Sequence, residues 1–293
     1  MDNSKIDKRH ILARLWRYQS ERAPLVVIVT MAALITGVLY HFAETSVVRY
    51  LASIIIVVLY LIQIRVSDEK KDFDHDNKFY KTRPVQRGLV TLDELYRVGQ
   101  FAMAAQLLIY ASFLDLRIFV LGLLSQGYAF LTRREFYIRK WLRKHLLTYN
   151  LLHQVQLIVL FFAVINIIQP TKLSYTQLLL FTLINIAIVE LARKTLPASE
   201  DAAKDSYSAR LGYKGVAVAL TVFSILAAAF SAYSISQHPR NPIFMVLPII
   251  ALIPIANYAY HYAIDPSKPN QKGLEYSAIL MFVVCMLSVI LGT

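Results

Sequence analysis

This chain has one cysteine in 293 residues, Cys285. It lies inside the last apolar run, which excludes a disulfide framework and a Cys-based metal site. Glycine is scarce too, at nine. There is no Gly-rich phosphate loop, and no pair of apolar runs is broken by Gly or Pro in the manner of transporters with discontinuous helices. Charge is thin: 17% of residues are Asp, Glu, Lys or Arg, against about a quarter in ordinary globular chains. With 57% hydrophobic residues and a mean hydropathy of +0.48, that excludes a water-soluble domain. No internal repeat and no low-complexity tract is visible, and the first 23 residues are too polar for a cleavable signal peptide.

What is present is a series of apolar runs, each long enough to span the hydrocarbon of a bilayer. Nine are read: 24–43, 47–65, 94–112, 115–132, 150–169, 175–192, 213–234, 242–262 and 274–292. The third and fourth are the weakest, interrupted by Arg97, Gln106, Asp115 and Arg117. The expected fold is all-α, a polytopic membrane protein with nine transmembrane helices in one domain over 1–293. The charges support that count, because 26 of the 31 Lys and Arg fall in the N-terminal tail, in the gaps 66–93, 133–149, 193–214 and 263–273, or at Arg65. The positive-inside rule then places the N-terminus and those gaps in the cytoplasm. The net charge of +12 is therefore a topology signal, and no nucleic-acid partner is needed to explain it. Within the tail, Ile6, Ile11, Leu12, Leu15 and Trp16 among basic residues suggest an amphipathic helix on the cytoplasmic surface.

The gap after the second run reads DEKKDFDHDNKFYKTRPVQRG, residues 68–88. Asp68, Asp72 and Asp76 are spaced i, i+4, i+8. If the preceding helix continues, the three carboxylates share one face. Clustered oxygens suit Mg²⁺, which is usually held by one or two carboxylates plus substrate phosphates. The same stretch holds Lys70, Lys71, Lys78, Lys81, Arg83 and Arg87, so a salt-bridged, solvated loop is the competing explanation.

Residues 68–76 resemble the first aspartate-rich motif of the UbiA superfamily of intramembrane prenyltransferases, NDxxDxxxD. Asp68 takes the Asn place, Glu69 the first Asp, and Asp72 and Asp76 the next two; Arg83-Pro84 matches the Arg-Pro that follows the motif. The resemblance implies a lipid-open cavity capped by two acidic loops, with Mg²⁺ as cofactor held by Asp68, Glu69, Asp72 and Asp76. It implies an isoprenyl diphosphate and an aromatic or lipid-like acceptor as partners. Asp72, Arg83 and Lys194 are the expected catalytic residues, and Lys81, Arg83, Arg193, Lys194 and Tyr207 the expected substrate contacts.

The family's second motif, DxxxD, falls after the sixth span, where this chain reads ELARKTLPASEDAAKDSYSARLGYKG from residue 190. Glu190 stands for the first Asp, but the position four later is Lys194. Two readings stay open. In one, Glu190, Asp201 and Asp205 hold a second Mg²⁺. In the other, Arg193 and Lys194 contact the diphosphate directly as fixed charge. The gap at 133–149 combines Arg133, Arg134, Arg139, Lys140, Arg143 and Lys144 with Phe136, Tyr137 and Trp141, as interfacial anchors do. Inside the spans, Gln106, Gln126, His153, Gln154, Gln156, Asn166, Asn185 and Asn257 either line a cavity or bond between helices; His153 and Gln156 are the best cavity candidates.

The function expected is Mg²⁺-dependent transfer of an isoprenyl group from its diphosphate to an aromatic or lipid-like acceptor. Two alternatives stand beside it: phosphoribosyl-type transfer to a polyprenyl phosphate, and a non-catalytic transporter or ion-binding protein.

Overall fold

The computed structural model describes residues 10–142, 145–197, 199–201 and 206–293. Its helices in chain order are α1 (Ile11–Arg22), α2 (Leu25–His41), α3 (Val47–Lys71), α4 (Phe73–Phe79), α5 (Leu92–Ser112) and α6 (Leu116–Arg133). They continue with α7 (Arg139–Leu142), α8 (Leu146–Ile168), α9 (Tyr175–Arg193), α10 (Tyr207–Gln237), α11 (Val246–Ile264) and α12 (Lys268–Gly292). Short 3-10 turns lie at Glu135–Tyr137 and Pro242–Met245. Among the described residues the sole β feature is one bridge, Ala43 with Pro170.

A helix occupies each of the nine apolar runs. Six are long and apolar enough to cross a membrane on length and composition, and α1 with α2, bent by 61° at the break between them, make a seventh. The two long helices left out, α5 and α6, are those whose runs carry internal polar residues. The chain is an integral, multi-pass membrane protein with an all-α bundle.

Contacts divide the chain into two compact units, one of Met1–Thr36 with Ala43–Thr171, the other of Gly37–Phe42 with Lys172–Thr293. In the first unit, α3 packs on α5, α6 and α8. Three glutamines, one each from α3, α5 and α6, close a ring inside it. Gln63 donates to Gln126 (2.9 Å), Gln126 to Gln106 (3.0 Å) and Gln106 to Gln63 (3.0 Å). In a bilayer such bonds contribute roughly 0.6–1.7 kcal/mol each. Gln106 and Gln126 are thus interhelical ties, completed by Gln63, which sequence reading passed over. Gly122 of α6 makes room for α5, since a Cβ there would stand 2.5 Å from the ring of fully buried Tyr110.

The N-terminal helix turns the apolar side chains of Leu12 and Trp16 outward, as a helix lying on a membrane surface does. Arg14 and Tyr18 are buried, whereas Leu12 and Trp16 are 69% and 68% exposed. Arg14 makes a bidentate pair with Glu94, 2.5 and 3.0 Å, at the first turn of α5. Glu94 also closes a capping box with Thr91. The helix docks by its charges because carboxylates await them on the bundle, and a buried Arg is stable only when so paired. Ile6 lies outside the described residues.

The Arg-Pro loop is likewise folded inward. Val85, Leu89 and Val90 join Tyr18, Val66 and Leu95 in one buried apolar cluster. Gly88 turns the chain at φ +80°, a conformation open to glycine at little cost, and this lets the Leu89 amide reach the Pro84 carbonyl at 2.8 Å.

In the second unit α9 packs on α10 and α12, and α11 on α10 and α12. α10 is kinked at Gly212, φ +72°, which is where its apolar run was expected to begin. Beyond the kink it buries Ala217, Ser224, Ala227, Ala228, Ser231 and Ser234, small residues that let helix backbones approach closely. Asn185 of the second unit and Asn166 of the first each donate to the carbonyl four residues back in their own helix, so neither is an interhelical tie through that amide.

Within each unit the loops sort into two ends, as alternating spans require. At one end of the first unit Arg87 reaches Glu21 at 2.7 Å and Arg139 the Lys71 carbonyl at 3.1 Å. At its other end Ala43 bridges Pro170. In the second unit, Tyr262 donates to the Leu196 carbonyl (2.8 Å) and Lys268 pairs with Glu200 (2.7 Å); His238 meets the Lys172 carbonyl at the opposite end.

Candidate functional site

The acidic run does continue the helix. The amides of Asp72, Asp76 and Tyr80 bond to the carbonyls of Asp68, Asp72 and Asp76 at 2.9, 2.8 and 2.8 Å. α3 therefore passes into α4 with only a bend at Asp72, φ −96° and ψ 4°, and the i, i+4, i+8 acids keep a common helical spacing.

The carboxylates differ sharply in their company. Glu69 is fully buried, and its Oε1 accepts from Arg22 Nε (2.9 Å), Arg65 Nη2 (2.8 Å) and Tyr18 (3.4 Å). Asp76 is also buried and pairs with Arg83 at 2.5 Å; the Arg83 guanidinium lies 3.9 Å from the Tyr80 ring centre. Asp68 is half-exposed and pairs with Lys71 at 2.9 Å. Among the described residues Asp72 alone of the four forms no ion pair. Burial lifts the Asp72 carboxyl above the ordinary aspartate range, reinforced by Asp68 and Asp76, with Lys71 opposing. Its charged form is disfavoured where it stands, and a cation beside it would remove that cost. Lys81, the other expected donor contact in this loop, is exposed.

The pair Asp68 and Asp72 fits one magnesium ion. Among the described residues no three His, Cys, Asp or Glu gather to hold a metal. Mg²⁺ needs only one or two carboxylates when substrate phosphates supply the rest, and Asp72 with Asp68, one turn apart, meets that need. Glu69 and Asp76 are each held by guanidiniums, and Glu69 Oε2 is buried with no hydrogen-bond partner among the described residues.

The basic loop at 133–142 contributes through Arg139, which pairs with Glu135 at 2.8 Å as well as holding the Lys71 carbonyl. Glu135, Phe136 and Tyr137 run through the left-handed region, φ 47°, 53° and 60°. That costs about 1–3 kcal/mol per residue; the buried Glu135 carboxylate is anchored there by the half-exposed Arg139. Tyr137 and Trp141 are largely exposed, in keeping with an interfacial role. Arg143 and Lys144 lie outside the described residues.

In the second unit Glu190 carries two cations. Arg193 grips both its oxygens at 2.8 and 3.0 Å, and Lys194 reaches Oε1 at 2.8 Å. Tyr207, at the start of α10, gives its amide to the Lys194 carbonyl at 3.1 Å. Asp201 is turned away to the Ser206 hydroxyl (2.5 Å), and Glu200 to Lys268. Asp205 lies outside the described residues. The loop thus presents a carboxylate clasped by fixed cations, with its described acids not gathered for a metal.

A UbiA homologue from Aeropyrum pernix K1, solved in its apo form, matches 89% of this chain and 96% of its own, with a TM-score of 0.64 at 14% identity. The chain has the UbiA fold. A structure of digeranylgeranylglyceryl phosphate synthase in membranes matches 96% of this chain and 98% of its own, with a TM-score of 0.61 at 16% identity. No family model and no curated protein matches the chain in sequence. At these identities the likeness is one of fold, and on the UbiA fold the chemistry must be argued from this chain's own residues.

Proposed function

We propose that this protein transfers an isoprenyl group from a prenyl diphosphate to an aromatic or lipid-like acceptor within the membrane. The observation that carries the reading is the continuous acid-bearing turn at the end of α3, with Asp72 unpaired and Arg83 fixed against Asp76 and Tyr80, on a UbiA fold. Breaking the allylic C–O bond leaves its electron pair on the diphosphate. Arg83 and the exposed Lys81 are placed in the same loop to stabilise that charge. Asp72 and Asp68 would hold magnesium, which would supply Lewis-acid charge to the leaving diphosphate. The apolar helices hold the prenyl tail and keep water from the cation. The acceptor attacks the freed carbon and gives up one proton. Proteoliposomes given prenyl diphosphates and candidate acceptors should release pyrophosphate and form a prenylated product. Failure to bind or turn over any prenyl diphosphate would sink the reading.

The nine-span topology belongs to the same proposal, with the N-terminus and the gaps 66–93, 133–149, 193–214 and 263–273 cytoplasmic. Reporter fusions after residues 45, 170 and 238 are expected to read external. Cytoplasmic signals at two of the three would break the nine-span arrangement.

For the second loop, the Glu190 clasp favours fixed charge over a second metal. Lys194→Ala should weaken donor affinity about tenfold, the worth of one charged hydrogen bond. Lys194→Asp should be worse at low Mg²⁺ and partly recover as Mg²⁺ rises. A silent Lys194→Ala, with the loss following Glu190, Asp201 and Asp205 instead, would favour the second metal.

A further inference from the structure

We propose that Lys71 is a resident cation of the donor site, binding the diphosphate directly and sustaining its binding when no metal is present. The inference rests on the diphosphate-donor reading above. Lys71 ends α3 with its side chain 8% exposed. A buried ammonium persists in such a place only when several groups hold it. Its Nζ lies 2.9 Å from Asp68 Oδ1, 3.4 Å from His153 Nε2 and 5.5 Å from the Tyr149 ring centre.

The histidine contact has a definite sense. The Tyr149 carbonyl only accepts, so His153 Nδ1, 2.8 Å away, must carry the proton. Lys71 only donates, so Nε2 must offer its lone pair. His153 is therefore neutral and of one tautomer. Its ring stacks on Tyr149 with centres 4.2 Å apart, and Arg139 holds the Lys71 carbonyl. α8 and the basic loop together fix an ammonium beside the acids that the metal would use.

The geometry makes Asp68 the exchangeable partner. It is the half-exposed member of the cluster and stands one turn from Asp72. A diphosphate oxygen arriving there competes with Asp68 for the ammonium. Lysine suits this part as a point charge with rotatable donors. Lys71 is thus a binding residue, and His153 positions it.

Inorganic pyrophosphate, titrated calorimetrically into the full-length protein in detergent with chelator and then with Mg²⁺, tests this. Wild type should bind in chelator. Lys71→Met should weaken that binding roughly ten- to a hundredfold, the worth of one charge-assisted hydrogen bond. His153→Phe should weaken it several-fold, whereas His153→Gln, whose carbonyl oxygen accepts from Lys71, should restore it. Lys71→Gln, closer in polarity, replaces Lys71→Met if thermal unfolding shows the latter misfolded. Wild-type affinity in chelator for both Lys71 variants would overturn the inference. So would wild type that binds only with Mg²⁺, although the donor reading would then survive. No binding of pyrophosphate or prenyl diphosphate in either buffer would overturn both.

Discussion

Asp72→Ala should abolish the Mg²⁺-dependent gain in diphosphate binding, an expected loss of roughly a hundredfold or ~2.8 kcal/mol, while the fold survives. Of the four motif acids Asp72 is the one that no described cation claims, and burial makes its unaccompanied charge costly. A metal beside it removes that cost and adds the attraction of the phosphates. Deleting it leaves Asp68, already engaged by Lys71, to hold the metal alone. The backbone bonds from Asp72 to Asp68 and from Asp76 to Asp72 do not use the side chain, and alanine is the better helix former. The check is a Mg²⁺ titration at fixed pyrophosphate, with thermal unfolding as the control. A variant with the wild-type Mg²⁺ response would remove Asp72 from the metal site.

Glu69→Ala is expected to do the opposite: lower stability by about 3–5 kcal/mol, as breaking a buried ion pair does, yet leave the Mg²⁺ response intact. Glu69 occupies the place of the first aspartate in the UbiA motif, but here one of its oxygens binds Arg22 and Arg65 together and accepts from Tyr18. Without it, two guanidiniums, 20% and 18% exposed, face each other unneutralised. α1 would lose a principal tie to the end of α3. Thermal unfolding in detergent reads the first effect and calorimetric Mg²⁺ titration the second. A variant as stable as wild type but unresponsive to Mg²⁺ would make Glu69 a metal ligand after all.

The helices were legible because membrane spans need long apolar runs, and the chain writes them out. The acid spacing was legible for a related reason: i, i+4 repeats carry a geometric meaning wherever a helix continues, and α3 does continue into α4. What the local pattern concealed was partnership at long range. Glu69 and Asp76 look like ligands in a linear motif, and nothing near them in sequence announces Arg22 across 47 residues. Arg14 and Tyr18 sit in a helix whose apolar residues advertise a surface role, yet the matching carboxylates lie on α3 and α5. Lys71 reads as one more loop cation until α8 brings His153 and Tyr149 to it. The polarity of His153 inside a span points to a cavity; its lysine partner and its tautomer need three dimensions. In the second loop the substitution of Lys194 for an acid was visible at once, but the clasp on Glu190 was not.

Native mass spectrometry of the purified protein with a prenyl diphosphate, in chelator and in Mg²⁺, tests the central claim most directly. A one-to-one prenyl diphosphate complex is expected in both buffers, stronger with Mg²⁺, and lost from an Asp72→Ala, Lys71→Met double variant. A wild-type protein that retains only membrane lipids, with no prenyl diphosphate bound in either buffer, would contradict the account.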